Sequence, residues 1–182
     1  QTVGMTVEII AIIAIAAYCL SAGLWVFRQN SGLSSVFPQA FALLALFAHA
    51  LSHAVFWRMN QGPDVHFFAA LSWTALAMAV ITAALTARRP LSALGILVYP
   101  IAALSLLAYW RWGNHVPNTH DWRLKLHASF ALLAYASLSI ASLIAMLYWL
   151  QDRALRRRHL LGWMGALPPL VQTEQLLFKT LG

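Results

Sequence analysis

The sequence is poor in charge, in acidic residues and in cysteine. Charged residues make up 9% of the 182 positions, whereas an ordinary soluble domain carries about 25%. Hydrophobic residues make up 61%, more apolar surface than a water-soluble fold of this size can bury. The one cysteine, Cys19, excludes an internal disulfide, and the absence of CxxC and CxxCH excludes redox and covalent haem-attachment motifs.

The few acidic residues do not form a catalytic constellation. They are scattered over termini and loops, so no pair is placed for acid–base chemistry, and none is predicted at the middle of a membrane span. They are Glu8, Asp64, Asp121, Asp152 and Glu174. A glycine-rich phosphate loop is also missing, which argues against a nucleotide-driven pump. The chain alone gives no reason to expect an enzyme.

Long apolar runs dominate what is present. Five of them cover residues 7–27, 38–57, 67–87, 91–110 and 124–150. Each has about 20 residues, enough to cross roughly 30 Å of hydrocarbon as a helix. The sequence therefore predicts an all-α fold, a polytopic helical bundle forming one transmembrane domain over residues 1–182. Residues 160–182 suggest an interfacial segment and the start of a further helix, and we expect more helices beyond them.

The basic residues predict how the bundle is oriented. The net charge is +7, but Lys and Arg lie in short clusters between apolar runs, which indicates topology and not nucleic-acid binding. The densest cluster, residues 153–158, is placed in the cytoplasm. The N-terminus and the loops 58–66 and 111–123 then lie outside. Trp57, Trp110, Trp112 and Trp122 would form an aromatic belt at the outer interface of the lipid bilayer.

Histidine is the unusual residue type for such a chain. Six of the seven histidines fall in the predicted outer half: His49, His53, His66, His115, His120 and His127. Neutral imidazole is well suited to binding a metal or haem iron inside a membrane. From the helix ends, His127 lies about 4–5 Å deep, His53 about 6 Å and His49 about 12 Å.

The histidine pattern leaves several pairings open. His49 and His53 share one helix face, so they could chelate a small ion such as Zn²⁺ with further ligands, or form interhelical hydrogen bonds. They cannot clamp both faces of one porphyrin. A bis-histidine haem needs ligands from two elements, and His127 with His53, or with a loop histidine, meets that condition on depth.

Several segments together resemble one family. Residues 124–136, LKLHASFALLAYA, resemble the "LHxxxxLLAYA" helix of the CcsA/YpjD branch of cytochrome c assembly proteins, which is related to HemX. Residues 150–158 and 167–178 are similar to its "LQDRxLKxxR" and "LPPLxxxExLLF" segments. Residues 46–51 and 89–100 resemble "LLxHAL" and "RPxxxLGLLVxP". The matches occur in family order from about Phe41 to Gly182.

The resemblance implies an eight-helix protein of the bacterial inner (cytoplasmic) membrane that handles haem at the outer face. It implies His127 as an axial ligand of a non-covalent haem b, and His49 occupies a position of the family pattern. His53 is a candidate by depth. Trp122 would flank the porphyrin, and Arg123 would pair with a propionate, as would Arg58 or Arg111. The partners implied are other cytochrome c assembly proteins or a membrane complex.

The sequence argues against haem lyase activity and leaves two alternatives to haem binding open. The "WGxxWxWD" loop of haem lyases is not found in the sequence, so lyase activity of this chain is not expected. One alternative is an accessory subunit of a membrane complex without haem. The other is a small-molecule or metal transporter, for which His49 would be the only ionisable residue at mid-membrane depth.

Overall fold

The computed structural model describes residues 2–59, 66–88, 92–113 and 122–156. These residues form five helices and, within the described ranges, no strand. They are α1 (Thr2–Ser31), α2 (Val36–Met59), α3 (Phe67–Arg88), α4 (Ser92–Trp112) and α5 (Trp122–Arg156). All five are long and apolar enough to cross a membrane. The predicted all-α, multi-spanning bundle is therefore confirmed.

The helices extend beyond the predicted apolar runs. Polar residues continue α1 to Ser31 and α5 to Arg156, because a helix does not have to stop where the hydrocarbon ends. The fourth apolar run covers residues 91–110 in the sequence, and in the structure α4 covers Ser92–Trp112. The segment 160–182 lies outside the described residues.

The turn between α1 and α2 shows why the first helix stops. Gly32 has a φ of 65°, the left-handed conformation that commonly follows the last helical residue and that glycine adopts without strain. The Arg28 side chain donates a hydrogen bond from Nε to the Leu33 carbonyl at 3.0 Å. The Ser34 hydroxyl accepts one from the Val36 backbone N–H at 3.3 Å. This turn lets α2 return antiparallel to α1.

The interior of the bundle is built mainly from alanine and a few large aromatic side chains. Helix α1 packs against α2 and α4, whereas α3 packs against α4, α5 and, less extensively, α2. Small residues let the helix backbones approach closely, which drives association inside a membrane. Trp25, Tyr18, Tyr99 and Tyr109 are the largest fully buried side chains.

The antiparallel order places particular helix termini together. We use "N-terminal end" for the end of the bundle where α1, α3 and α5 begin and α2 and α4 end. Ring contacts between His66 and Tyr109 at 5.7 Å, and between Phe68 and Trp112 at 6.1 Å, join α3 to α4 there. This end corresponds to the predicted outer side.

Helix α5 is the least enclosed of the five. It has 35 residues and packs chiefly against α3. Its buried stripe consists of Ala136, Ile140, Ile144 and Leu147. Large apolar side chains on the rest of its surface are exposed, including Phe130 at 65% and Leu138 at 63%. Such a surface is compatible with contact to lipid.

Candidate functional site

Two of the candidate histidines are buried inside the bundle. His49 is 0% exposed and His53 is 3% exposed. They lie at i and i+4 on α2, so both rings project from one face of the helix. Their rings are stacked with centroids 5.3 Å apart. The prediction that the two residues share a helix face is reproduced by the structure.

One serine of α3 joins the two histidines. The Nε2 atoms of His49 and His53 each lie 2.9 Å from Oγ of Ser72. The Nδ1 atom of His49 lies 3.1 Å from the hydroxyl of Tyr18 on α1. Side chains from three helices thus form one buried hydrogen-bonded chain in the order Tyr18–His49–Ser72–His53. We call these four residues the histidine chain.

Aromatic rings surround the histidine chain on the side of the N-terminal end. The His53 ring stacks on Trp73 with centroids 4.3 Å apart and on Tyr109 at 4.8 Å. At the deep end, Tyr18 stacks on Tyr99 at 5.9 Å. These rings occupy the surroundings of both imidazoles, and both ring nitrogens of His49 already have hydrogen-bond partners.

The described part of the chain does not supply the further ligands that a chelated ion would need. Among the described residues, no group of three or more His, Cys, Asp or Glu side chains is placed to hold a metal ion. The interhelical hydrogen-bond alternative, by contrast, is what the geometry of His49 and His53 shows. Their assignment as haem-contacting residues remains a prediction.

His127 lies elsewhere on the molecule. It is the sixth residue of α5, and its side chain is exposed. His53, by contrast, is 3% exposed and is enclosed by Trp73 of α3 and Tyr109 of α4. The two histidines therefore have different surroundings.

Residues on the same surface of α5 have the chemistry that a porphyrin needs. Arg123 is exposed and precedes His127 by one turn, so it lies nearer the N-terminal end. Phe130 and Ala134 follow His127 by about one and two turns and are also exposed. We call Arg123, His127, Phe130 and Ala134 the outer face of α5. Arginine for a carboxylate, imidazole for iron and apolar side chains for the ring occur here in that order along the helix.

The other candidate residues of the predicted haem site do not belong to the outer face of α5 as described above. Trp122 begins α5, but its side chain lies outside the described residues, as do His115 and His120. Arg58 and Arg111 are exposed close to the N-terminal end.

Sequence reasoning missed Ser72, Tyr18 and the stacked aromatic residues of the histidine chain's surroundings. A serine and a tryptophan side by side in the mostly apolar α3 were the available signal, but their histidine partners depend on how α3 packs on α2.

Comparison with known proteins identifies the family. No curated protein and no solved structure matches the chain. The family model for the cytochrome c assembly protein matches residues 35–182, which includes α2 to α5. The chain therefore belongs to the cytochrome c assembly protein family, and as a multi-pass membrane protein it serves cytochrome c biogenesis.

Proposed function

We propose that this protein binds haem non-covalently at the outer face of the bacterial cytoplasmic membrane, with His127 as an axial ligand. The observation that carries the proposal is the exposure of His127. Its side chain lies on the exposed surface of α5. Haem held there would lie beside the five-helix bundle and not within it.

The order of residues along α5 supports a defined orientation of the ligand. Arg123 lies about 6 Å closer to the N-terminal end than His127, measured along the helix axis. A propionate would meet the guanidinium at the membrane interface, and the apolar ring edge would rest on Phe130 and Ala134. When bound, haem would supply the iron porphyrin that cytochrome c assembly joins to an apocytochrome.

The residues of this chain would bind and orient the haem, and the second ligand of the iron would come from another element. His53 and His49 do not fit that role, because their rings face the interior of the bundle. Interfacial residues from beyond the described ranges, or from another assembly protein, are the remaining sources. The proposal places the N-terminus outside, because the N-terminal end of the bundle carries His127 and the exposed Trp57 and Trp112.

Visible absorption spectra of the purified protein test this proposal. We expect a Soret band, with sharp α and β bands after reduction by dithionite, because nitrogen ligation gives a low-spin iron. His127→Ala should remove or shift these bands. His127→Met should retain haem with a raised reduction potential, because a thioether replaces an imidazole.

Met146→Ala is the matched control. Met146 is 46% exposed on the same helix, but it lies 19 residues after His127, about 28 Å along the axis. It should leave the spectrum unchanged. A flat spectrum from haem-replete wild-type protein, or unchanged bands in His127→Ala, would contradict the ligand assignment and favour an accessory role without haem.

A further inference from the structure

Two stacked tyrosines in the interior of the bundle differ in one respect. Tyr18 of α1 and Tyr99 of α4 are both 0% exposed, and their ring centroids lie 5.9 Å apart. The Tyr18 hydroxyl lies 3.1 Å from Nδ1 of His49. The Tyr99 hydroxyl has no hydrogen-bond partner among the described residues. One phenol therefore has a base beside it, and its neighbour does not.

Counting hydrogens shows which group donates in the bond between Tyr18 and His49. Within the described ranges, His49 is the one hydrogen-bond partner of the Tyr18 hydroxyl. If Nδ1 carried the hydrogen, the buried O–H of Tyr18 would be left without an acceptor, and buried donors are rarely left so. Tyr18 therefore donates to Nδ1. A neutral His49 then carries its hydrogen on Nε2 and donates it to Oγ of Ser72, at 2.9 Å.

This arrangement favours the one-electron oxidation of Tyr18. Loss of an electron makes a phenol strongly acidic, so the oxidation is easier when a base takes the proton in the same step. The lone pair on Nδ1 of His49 accepts that proton along the existing hydrogen bond. Tyr99 would instead become a buried cation radical, and an isolated charge is costly in an apolar interior. Tyr18 is thus the more readily oxidised of the two rings.

We propose that Tyr18 is a reversible one-electron donor whose proton is kept by His49. One electron leaves the Tyr18 ring, the O–H bond breaks, and the proton forms a bond to Nδ1 of His49. The products are a neutral tyrosyl radical and an imidazolium that still donates from Nε2 to Ser72. When an electron returns, the same proton goes back to the Tyr18 oxygen. No phenolate forms, and no proton has to enter or leave the bundle.

Aromatic rings provide a route for the electron towards the N-terminal end. The His53 ring stacks on His49 at 5.3 Å and on Tyr109 at 4.8 Å. The Tyr109 ring lies 5.7 Å from that of His66, where α3 begins. Because electron tunnelling weakens steeply with distance, rings in contact shorten each step of such a route.

The chemical class of the natural oxidant rests on the haem binding proposed above. Haem iron that has been oxidised by hydrogen peroxide would take the electron from Tyr18, and ferrous haem would return it. Each exchange moves one electron, so the iron changes by one oxidation state in each direction. Tyr18 would then protect the bound porphyrin from oxidising itself.

A purely structural hydrogen bond between α1 and α2 is the competing explanation. Two substitutions separate it from a redox role. His49→Gln keeps an amide oxygen that can accept from the Tyr18 hydroxyl, but an amide is not a base and cannot keep the proton. Tyr99→Phe is the matched control, because it removes the neighbouring hydroxyl, which has no acceptor, and retains a stacked ring.

The experiment attaches a ruthenium polypyridyl photosensitiser to Cys19, whose thiol is exposed and follows Tyr18 in the chain. Full-length protein from haem-deficient cells is flashed in detergent micelles, with an aryl diazonium salt as irreversible electron acceptor. The ruthenium(III) that forms oxidises a nearby side chain, and EPR identifies the radical. We expect the spectrum of a neutral tyrosyl radical, which is lost in Tyr18→Phe and in His49→Gln and retained in Tyr99→Phe.

A measurement on the wild-type protein guards against misfolding of the variants. In protein equilibrated in D₂O the radical should form more slowly, because a deuteron replaces the transferred proton. An equal rate in D₂O would overturn the proposal, as would a wild-type yield of radical in His49→Gln or in Tyr18→Phe. Absence of a tyrosyl signal in wild-type protein that forms ruthenium(III) would do the same.

A second arm tests the natural oxidant. In haem-loaded protein, hydrogen peroxide should produce the same tyrosyl signal, and it should bleach the haem faster in Tyr18→Phe than in Tyr99→Phe. Equal bleaching in the two variants would overturn haem as the oxidant. A failure of the haem-binding function is recognised separately, because the Soret band is then missing, and it leaves the result of the flash experiment unaffected.

Discussion

Among the glycines whose surroundings the structure describes, Gly95 is the one where an added carbon atom should destabilise the fold most. A Cβ at this residue of α4 would lie 2.8 Å from Cδ1 and 2.9 Å from Nε1 of Trp25, and 3.1 Å from Cε2 of Tyr99. Carbon atoms pack best at about 3.5–4.0 Å, so Gly95→Ala requires a shift of roughly 0.7 Å. Trp25 and Tyr99 are both 0% exposed, so their rings are enclosed by other parts of the bundle and cannot move aside into solvent.

The size of the effect follows from two opposing contributions. Overpacking a well-packed interior typically costs about 1–3 kcal/mol. Replacing glycine by alanine inside a helix returns up to about 1 kcal/mol. Gly23→Ala in α1 shares the second contribution without the first, because nothing lies within 4 Å of a Cβ at that position. The difference in unfolding free energy between the two variants therefore isolates overpacking and should be about 1–3 kcal/mol.

Equilibrium unfolding in mixed micelles, with increasing fractions of a denaturing detergent, measures this difference. Intrinsic fluorescence is a suitable signal because Trp25 is enclosed at the contact between α1 and α4. Gly95→Ala should unfold at a lower detergent fraction than Gly23→Ala. Equal unfolding midpoints for the two variants would refute the reasoning, since they would show that α1 and α4 are not packed closely through Gly95.

Two further predictions concern the opposite end of the bundle and its orientation. Gln39→Leu removes the hydrogen bond from Gln39 Nε2 to the Ala83 carbonyl, at 2.7 Å, and should lower the unfolding free energy by about 1 kcal/mol in the same assay. Thr74→Val breaks a hydrogen bond within one helix and should lower it by less. A larger loss in Thr74→Val than in Gln39→Leu would contradict this prediction. In a Cys19→Ala background, a membrane-impermeant thiol reagent added to intact cells should label Trp112→Cys but not Ser34→Cys, and the reverse pattern would place the N-terminus inside.

Most of the fold could be predicted from the sequence because membrane physics leaves few alternatives. An apolar run of about 20 residues has to satisfy its backbone internally, so a spanning helix is the expected result. The ends of the helices are predicted less accurately, since α1 and α5 continue through polar residues that a hydropathy pattern assigns to water. Which helices are neighbours could not be derived, because alanine-rich faces such as those of α1 and α4 look alike in a single sequence.

The candidate site was predictable only in part, for a related reason. Spacing alone shows that His49 and His53 share a face, and the depth of His127 follows from its distance to the helix start. The environment of each histidine is a matter of helix packing. Ser72 becomes the bridge between two imidazoles only when α3 lies against α2, and the exposure of His127 depends on how α5 packs in the bundle.

The length of α5 has a mechanical consequence. At 1.5 Å per residue its 35 residues span about 52 Å, whereas hydrocarbon is roughly 30 Å thick. Even a tilt of about 40° leaves several ångströms of helix beyond the bilayer. Helix α5 packs chiefly against one neighbour, α3, so a pivot of about 10° about its centre would displace each end by roughly 4–5 Å. A small movement beside Arg153 would thus be transmitted, as by a rigid lever, to His127 across the membrane.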